Sequence, residues 1–188
     1  NLQVSYGRHL ADSLGLELVN QAESACSNDR IIRTTREYLA NNKPALIVIG
    51  WTNWERSEFC YNNEYYQFTA NTPRVVWPDA VKHQHLKWVL EHNSRASSDR
   101  YHDAIYDLHM DLLDMSIPHI FFNCYNSFYN AEPKEWDNCY ISPYGTFRTF
   151  VQWAIDNDFP TVGQGYHFGP EAHSKWAKVL LDYLLLSK

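Results

Sequence analysis

Hydrophobic and polar positions alternate in two rhythms along this chain, one of about four residues and one of two. Leu10, Ala11 and Leu14 share one side of a helix over 4–14, which Gly15 ends. Leu16-Glu17-Leu18-Val19 then reads as a short strand. Ser27 is placed to cap a helix over 28–42 whose inward side is Ile31, Ile32, Thr35, Tyr38 and Leu39. Ala45-Leu46-Ile47-Val48-Ile49 is a continuous apolar run broken by Gly50, the pattern of a strand covered on both faces. Within the insertion over 51–79, segments 57–61 and 65–69 flank Asn62-Asn63 and predict a hairpin. Helical spacing resumes over 79–93 and again over 98–115, where Tyr101, Ile105, Leu108, Leu112 and Met115 form a stripe. His119 to Cys124 is a second buried-strand pattern, followed by an aromatic loop over 125–144. A helix over 146–157, a Gly-rich loop over 163–169 and a final helix opened by Pro170 complete the chain.

Alternation of this kind predicts an α/β fold, a three-layer α/β/α sandwich built on a parallel sheet. The length of 188 residues suits one domain, and no repeat or linker divides 1–188. A hydrophobic content of 45% with 20% charged residues is a globular composition. The net charge of −6 argues against nucleic acid as a partner. No apolar run is long enough to span a membrane, and the first residues lack the pattern of a signal peptide. Cys26, Cys60, Cys124 and Cys139 form no CxxC motif and read as free thiols of a cytoplasmic protein.

In open parallel sheets, ligands bind beyond the carboxyl ends of the strands. The segments there are Asn20–Asn28, Gly50–Asn53, Asn123–Ser127 and the loop that carries His167. Each has a plain structural reading beside the chemical one. Asn53 is a turn residue or an amide donor, His167 a loop histidine or a general base, and Ser27 a helix cap before it is a nucleophile; Ser24 is the other candidate serine. His83, His85, His92, His102 and His109 form no ligand spacing with a Cys or Asp set, so they are expected on solvated helix surfaces, with no metal and no cofactor. The aromatic content of 15% falls heavily in loops: Trp51, Trp54, Phe59, Tyr61, Tyr65, Tyr66 and Phe68, then Tyr125, Phe128, Tyr129 and Trp136. Sugar stacking, a protein interface and satellite core remain open for them.

Three segments together resemble the SGNH (GDSL-type) hydrolases, serine esterases and deacetylases of flavodoxin-like fold. Leu18-Val19-Asn20-Gln21-Ala22-Glu23-Ser24-Ala25 is similar to the family's second block, with Ala25 at the place of its glycine. Ile47-Val48-Ile49-Gly50-Trp51-Thr52-Asn53 is similar to the third, and Gln164-Gly165-Tyr166-His167 through Pro170 and His173 to the fourth. The Gly-Trp-Thr segment and the Ser-Asn-Asp-Arg helix start look closest to bacteriophage-encoded members. The resemblance implies His167 as base, Gln164 as its orienter in place of the family aspartate, and Ala25 N–H with Asn53 as the oxyanion donors. Thr52 is the alternative to Asn53 when the block is aligned on Gly50. Asp158 is the alternative to Gln164.

The family's first block, with the nucleophilic serine, is not in this sequence. A preceding segment bearing a strand and a Gly-Asp-Ser-like turn is therefore expected, seated between the strands at 16–19 and 45–49. The implied function is hydrolysis of carboxylic esters, acetyl groups on a carbohydrate above all. The alternative is a non-catalytic structural or binding protein that keeps the hydrolase fold, such as a virion component, with protein partners met through the aromatic loops. Localisation follows as cytoplasmic or virion-associated.

Overall fold

The computed structural model describes residues 5–72, 76–128, 130–145, 149–163 and 167–186. In chain order the elements are α1 (Tyr6–Leu14), α2 (Asn28–Leu39), β1 (Ile47–Trp51), β2 (Ser57–Tyr61), β3 (Glu64–Phe68), α3 (Asp79–Glu91), α4 (Ser94–Asp114), β4 (His119–Asn123), β5 (Tyr140–Ile141), α5 (Phe150–Asp156) and α6 (Pro170–Leu186). Local chemistry sets the ends. Ser5, Ser27, Asn93 and Thr149 each accept a backbone N–H three residues on, capping α1, α2, α4 and α5. Asn93 accounts for α4 beginning four residues before its apolar stripe suggests.

The result is a mixed α/β protein with a small parallel sheet. Its order is β1-β4-β5, both pairings parallel, with Ile49 beside Phe121 and Phe121 beside Tyr140. Successive residues of a strand face opposite sides, and β4 feeds two clusters. Phe121 joins Ile49, Trp51, Tyr140 and the α4 stripe Tyr101, Ile105, Leu108 and Leu112. Ile120 and Phe122 join Leu10 of α1, Phe150 and Ala154 of α5 and Trp176 of α6. Helices thus cover both faces of β4, which is buried along its whole length. The hairpin β2–β3 is a separate antiparallel pair turned by Asn62 and Asn63, both at positive φ. Two successive left-handed residues are what a tight two-residue turn requires.

Three expectations are corrected. Leu16–Val19 is not a strand. Gly15 ends α1 in the left-handed conformation, and the Leu16 N–H donates to the Ala11 carbonyl. Leu18 then lies against α1, its Cδ1 3.5 Å from where a Cβ on Gly7 would stand. The helix cap and this contact take the segment away from any ladder, so it does not pair with β1. Gly50 does not break β1 but lies inside it, for reasons of space taken up below. The histidines expected on the surface are in part buried: His85 and His109 are fully enclosed and His102 nearly so. Much of the loop aromatic content is likewise core, including Trp51, Trp54, Phe128 and Trp136, whereas Tyr65 and Tyr125 stay exposed. No helix among the described residues is long and apolar enough to cross a membrane. All four cysteines are free thiols.

Candidate functional site

Parallel pairing puts the carboxyl ends of β1 and β4 at one edge, where the Cys124 N–H donates to the Trp51 carbonyl at 2.9 Å. The start of α2 is bound to that edge by one buried side chain. Asn28 Nδ2 donates to the Thr52 carbonyl at 3.1 Å, and the Thr52 N–H donates to Asn28 Oδ1 at 2.9 Å. Arg56 adds a second tie, donating to Thr52 Oγ1 at 2.8 Å and to the Cys26 carbonyl at 3.3 Å. The loop over Ala25 and Cys26 and the end of β1 are thereby held together.

The hairpin is fastened over this edge through α2. Arg33 makes a two-pronged pair with Glu58, at 2.7 and 2.9 Å, and Gln67 Nε2 donates to the same carboxylate. Gln67 Oε1 in turn accepts the Ser27 N–H at 2.9 Å. Asp29 receives the Tyr101 hydroxyl, the Ser57 hydroxyl, the Glu58 N–H and the Arg100 guanidinium. Burial pushes the Asp29 carboxyl up, but those donors outweigh it and hold the group below the ordinary aspartate range.

Between the hairpin and α3 the edge opens into a cleft of about 340 Å³ lined by Asn53, Glu55, Arg56, Thr69, Ala70, Asn71, Trp88, Val89 and His92. Asn53 Oδ1 accepts the Glu55 N–H at 2.8 Å, closing a local turn. That bond orients the amide, and no described residue hydrogen-bonds its Nδ2 group. Thr52, the alternative, has its hydroxyl engaged by Arg56 and both backbone groups by Asn28. One indole, two amides, a guanidinium and an imidazole therefore line one cleft. His92 was expected on a solvated helix surface, and Arg56, Asn71 and Trp88 carry no signal of a site in the sequence. Trp88 and His92 are neighbours on the end of α3, and only the folded chain brings Arg56 and Asn71 to them.

Ala25 is exposed, with φ of 60°. That conformation places a Cβ against the backbone, at a cost of roughly 1–2 kcal/mol for residues other than glycine. An Ala25→Gly substitution is therefore expected to stabilise the protein by about 1 kcal/mol, read as a higher urea midpoint. An unchanged midpoint would show that the loop carries no such strain. Ala25 does not line the Asn53 cleft.

His167 is exposed, and its carbonyl accepts the Val162 N–H at 2.6 Å. It precedes Phe168, which packs on Phe150 at the start of α5, and the Val151 N–H donates to the Cys124 carbonyl just beyond β4. These contacts tie Phe168, its neighbour, to the start of α5, and His167 is absent from the lining of the Asn53 cleft. Gln164, its expected orienter, lies outside the described residues. Asp158, two residues past α5, has the left-handed conformation, and no hydrogen bond joins it to His167 among the described residues.

Nucleophiles at this edge are poor ones. Ser27 is fully buried and spent as the cap of α2. Desolvation raises the Cys26 thiol, and it pushes Cys124 up to about 12, so both stay protonated at neutral pH. Ser24 is exposed. No protein-family model, curated protein or solved structure matches the chain.

Proposed function

We propose that this chain forms most of an SGNH-type esterase domain of flavodoxin-like α/β/α architecture, acting on acetyl or related carboxylic esters of a carbohydrate. The observation that carries the reading is the end of β1. There an oriented Asn53 amide opens into a cleft walled by an indole, amides and a guanidinium. Aromatic faces and amide groups are what a sugar ring offers partners for: apolar C–H faces and a rim of hydroxyls. A second support is Ala25. It stands where the family places glycine, and its backbone has the left-handed conformation that glycine adopts without cost.

In this reading a serine on a strand along the outer edge of β1, which pairs with no described strand, attacks the ester carbonyl. The resemblance assigns the serine's proton to His167 and the tetrahedral oxyanion to Asn53 Nδ2 with the Ala25 N–H, a convergence that requires Ala25 and His167, which stand outside the Asn53 cleft, to reach the same carbonyl. The alternative is a non-catalytic binding protein of the same fold, a virion component among them. It is favoured by the lack of an activated serine at the carboxyl edge among the described residues.

Fluorophosphonate labelling separates the two. The full gene product containing these residues is expected to take up label on one serine, and His167→Ala is expected to abolish labelling without changing the circular dichroism spectrum. A folded product that takes no label would leave the binding protein as the function.

A further inference from the structure

At the opposite end of the sheet, the amino end, three side chains meet that no part of the esterase reading uses. His109 lies near the end of α4, His119 is the first residue of β4, and Cys139 immediately precedes β5. Their nitrogen and sulfur atoms lie within 4.8 Å of one another. His109 is fully buried, His119 nearly so, and Cys139 is partly exposed.

The hydrogen bonds decide how the rings face. His119 Nδ1 is 2.9 Å from the Ile117 carbonyl, which can only accept, so Nδ1 carries the proton and Nε2 presents a lone pair. His109 Nε2 makes no hydrogen bond but lies 3.4 Å from a carboxylate oxygen of Asp137, whose negative charge favours a proton over a lone pair there. The two remaining nitrogens, His109 Nδ1 and His119 Nε2, then face each other at 2.8 Å with a lone pair on each. Moving the His109 proton to Nδ1 would leave a buried Nε2 lone pair beside the carboxylate with no hydrogen-bond donor to it. A cation between the rings removes the conflict.

We propose that His109 Nδ1, His119 Nε2 and Cys139 Sγ bind one divalent transition metal ion, with zinc the best fit to two imidazoles and a thiolate. The Ile117 carbonyl fixes the His119 ring as acceptors behind metal-bound histidines do, and the Asp137 carboxylate stands 3.4 Å behind His109 Nε2, placed for the same role. At bond lengths of about 2.0–2.1 Å to nitrogen and 2.3 Å to sulfur, tetrahedral binding spreads the two nitrogens by about half an ångström and draws the sulfur in. The thiol of Cys139 lies 3.5 Å from the Asp137 carbonyl. On binding, its S–H bond breaks, the proton passes to solvent, and the sulfur lone pair forms the metal bond as one aqua ligand leaves. A remaining water completes the fourth position. The ion would clip α4, β4 and the two-residue β5 together, a structural task at the end of the sheet remote from Asn53.

Cobalt(II) serves as a coloured stand-in for zinc. The chelator-treated protein is expected to bind one cobalt per chain, with a thiolate-to-cobalt charge-transfer band and the strong visible bands of tetrahedral cobalt. Zinc is expected to displace it and to raise the melting temperature. Cys139→Ser should lose the charge-transfer band and bind zinc about tenfold or more weakly, the scale lost even when an outer partner is removed. Cys60→Ser, at an exposed thiol remote in sequence from the cluster, should match the wild type. Absence of the band in wild type, its persistence in Cys139→Ser, or its loss in Cys60→Ser would each overturn the site. Because the readout is metal binding and not turnover, failure here leaves the esterase reading untouched.

Discussion

Asn28→Ala is expected to destabilise the protein by about 2–5 kcal/mol, a large share of the roughly 5–15 kcal/mol that holds a domain of this kind together. Asn28 is fully buried, and its amide is both donor and acceptor to the backbone of Thr52. Alanine removes both bonds at once. The Thr52 N–H and carbonyl are then left inside the protein at about 1–3 kcal/mol each, and no described side chain replaces the amide. Urea unfolding should show the midpoint lowered by about 1–2 M at an unchanged slope. A loss below about 0.5 kcal/mol would mean that water enters and satisfies Thr52, and that the α2 start is not fastened to β1 in this way. The Asn53 amide follows directly on this anchor, so ligand binding in the cleft should weaken together with stability.

Gly50→Val is expected to cost about 3 kcal/mol or more, and Gly50→Ala about 1–3 kcal/mol. A Cβ on Gly50 would stand 2.7 Å from Phe122 Cζ and 2.8 Å from Cys124 Sγ. The ring cannot give way easily. Phe122 is fully buried, with Tyr6 edge-on at 5.4 Å and Trp176 at 5.2 Å between centroids. The glycine is therefore a matter of space, since its φ needs no special freedom. The test is a double-mutant cycle with Phe122→Leu, which shortens the obstructing side chain. Gly50→Ala should be less costly on that background, by about 0.5–1 kcal/mol or more. Equal costs on both backgrounds would place the conflict elsewhere.

These two residues also show what a sequence reader can and cannot see. The role of Ser27 was legible because a cap acts three residues away, and the hairpin because Asn62 and Asn63 form a local turn. β4 was legible because burial on both faces leaves consecutive apolar residues, Ile120, Phe121 and Phe122. Gly50 looked like a strand breaker, because the ring that requires it belongs to β4 and is brought there only by register. Leu16–Val19 has the alternation of a strand, but strand formation depends on a partner, and the cap of α1 directs the segment elsewhere. β5 has two residues, too few for any period to register. At the candidate site, Asn53 was legible from its place after an apolar run. Arg56 was hidden, and Trp88 and His92 at the end of α3 read as helix surface, because the loop after β1 and α3 meet at the cleft only in the folded chain. The cluster of His109, His119 and Cys139 was hidden for the same reason. Its spacing matches no ligand motif, and only the parallel alignment of β4 with β5, under α4, brings the three together.

That parallel alignment has a further consequence, for the order in which the chain can assemble. Pairing Ile47 with His119 closes a loop that contains the hairpin, α3 and α4. Antiparallel neighbours can zip from a turn, but parallel neighbours must first bring distant ends together and lose that chain entropy before any ladder bond repays it. The hairpin carries its own turn, and α4 its own cap, so each can begin to form from contacts close in sequence. Their partial structure shortens the span that β1 and β4 must search. Long-range closure of this kind slows folding relative to locally connected helices. The sheet that organises the finished molecule is thus the part whose closure its locally connected outer elements make less costly.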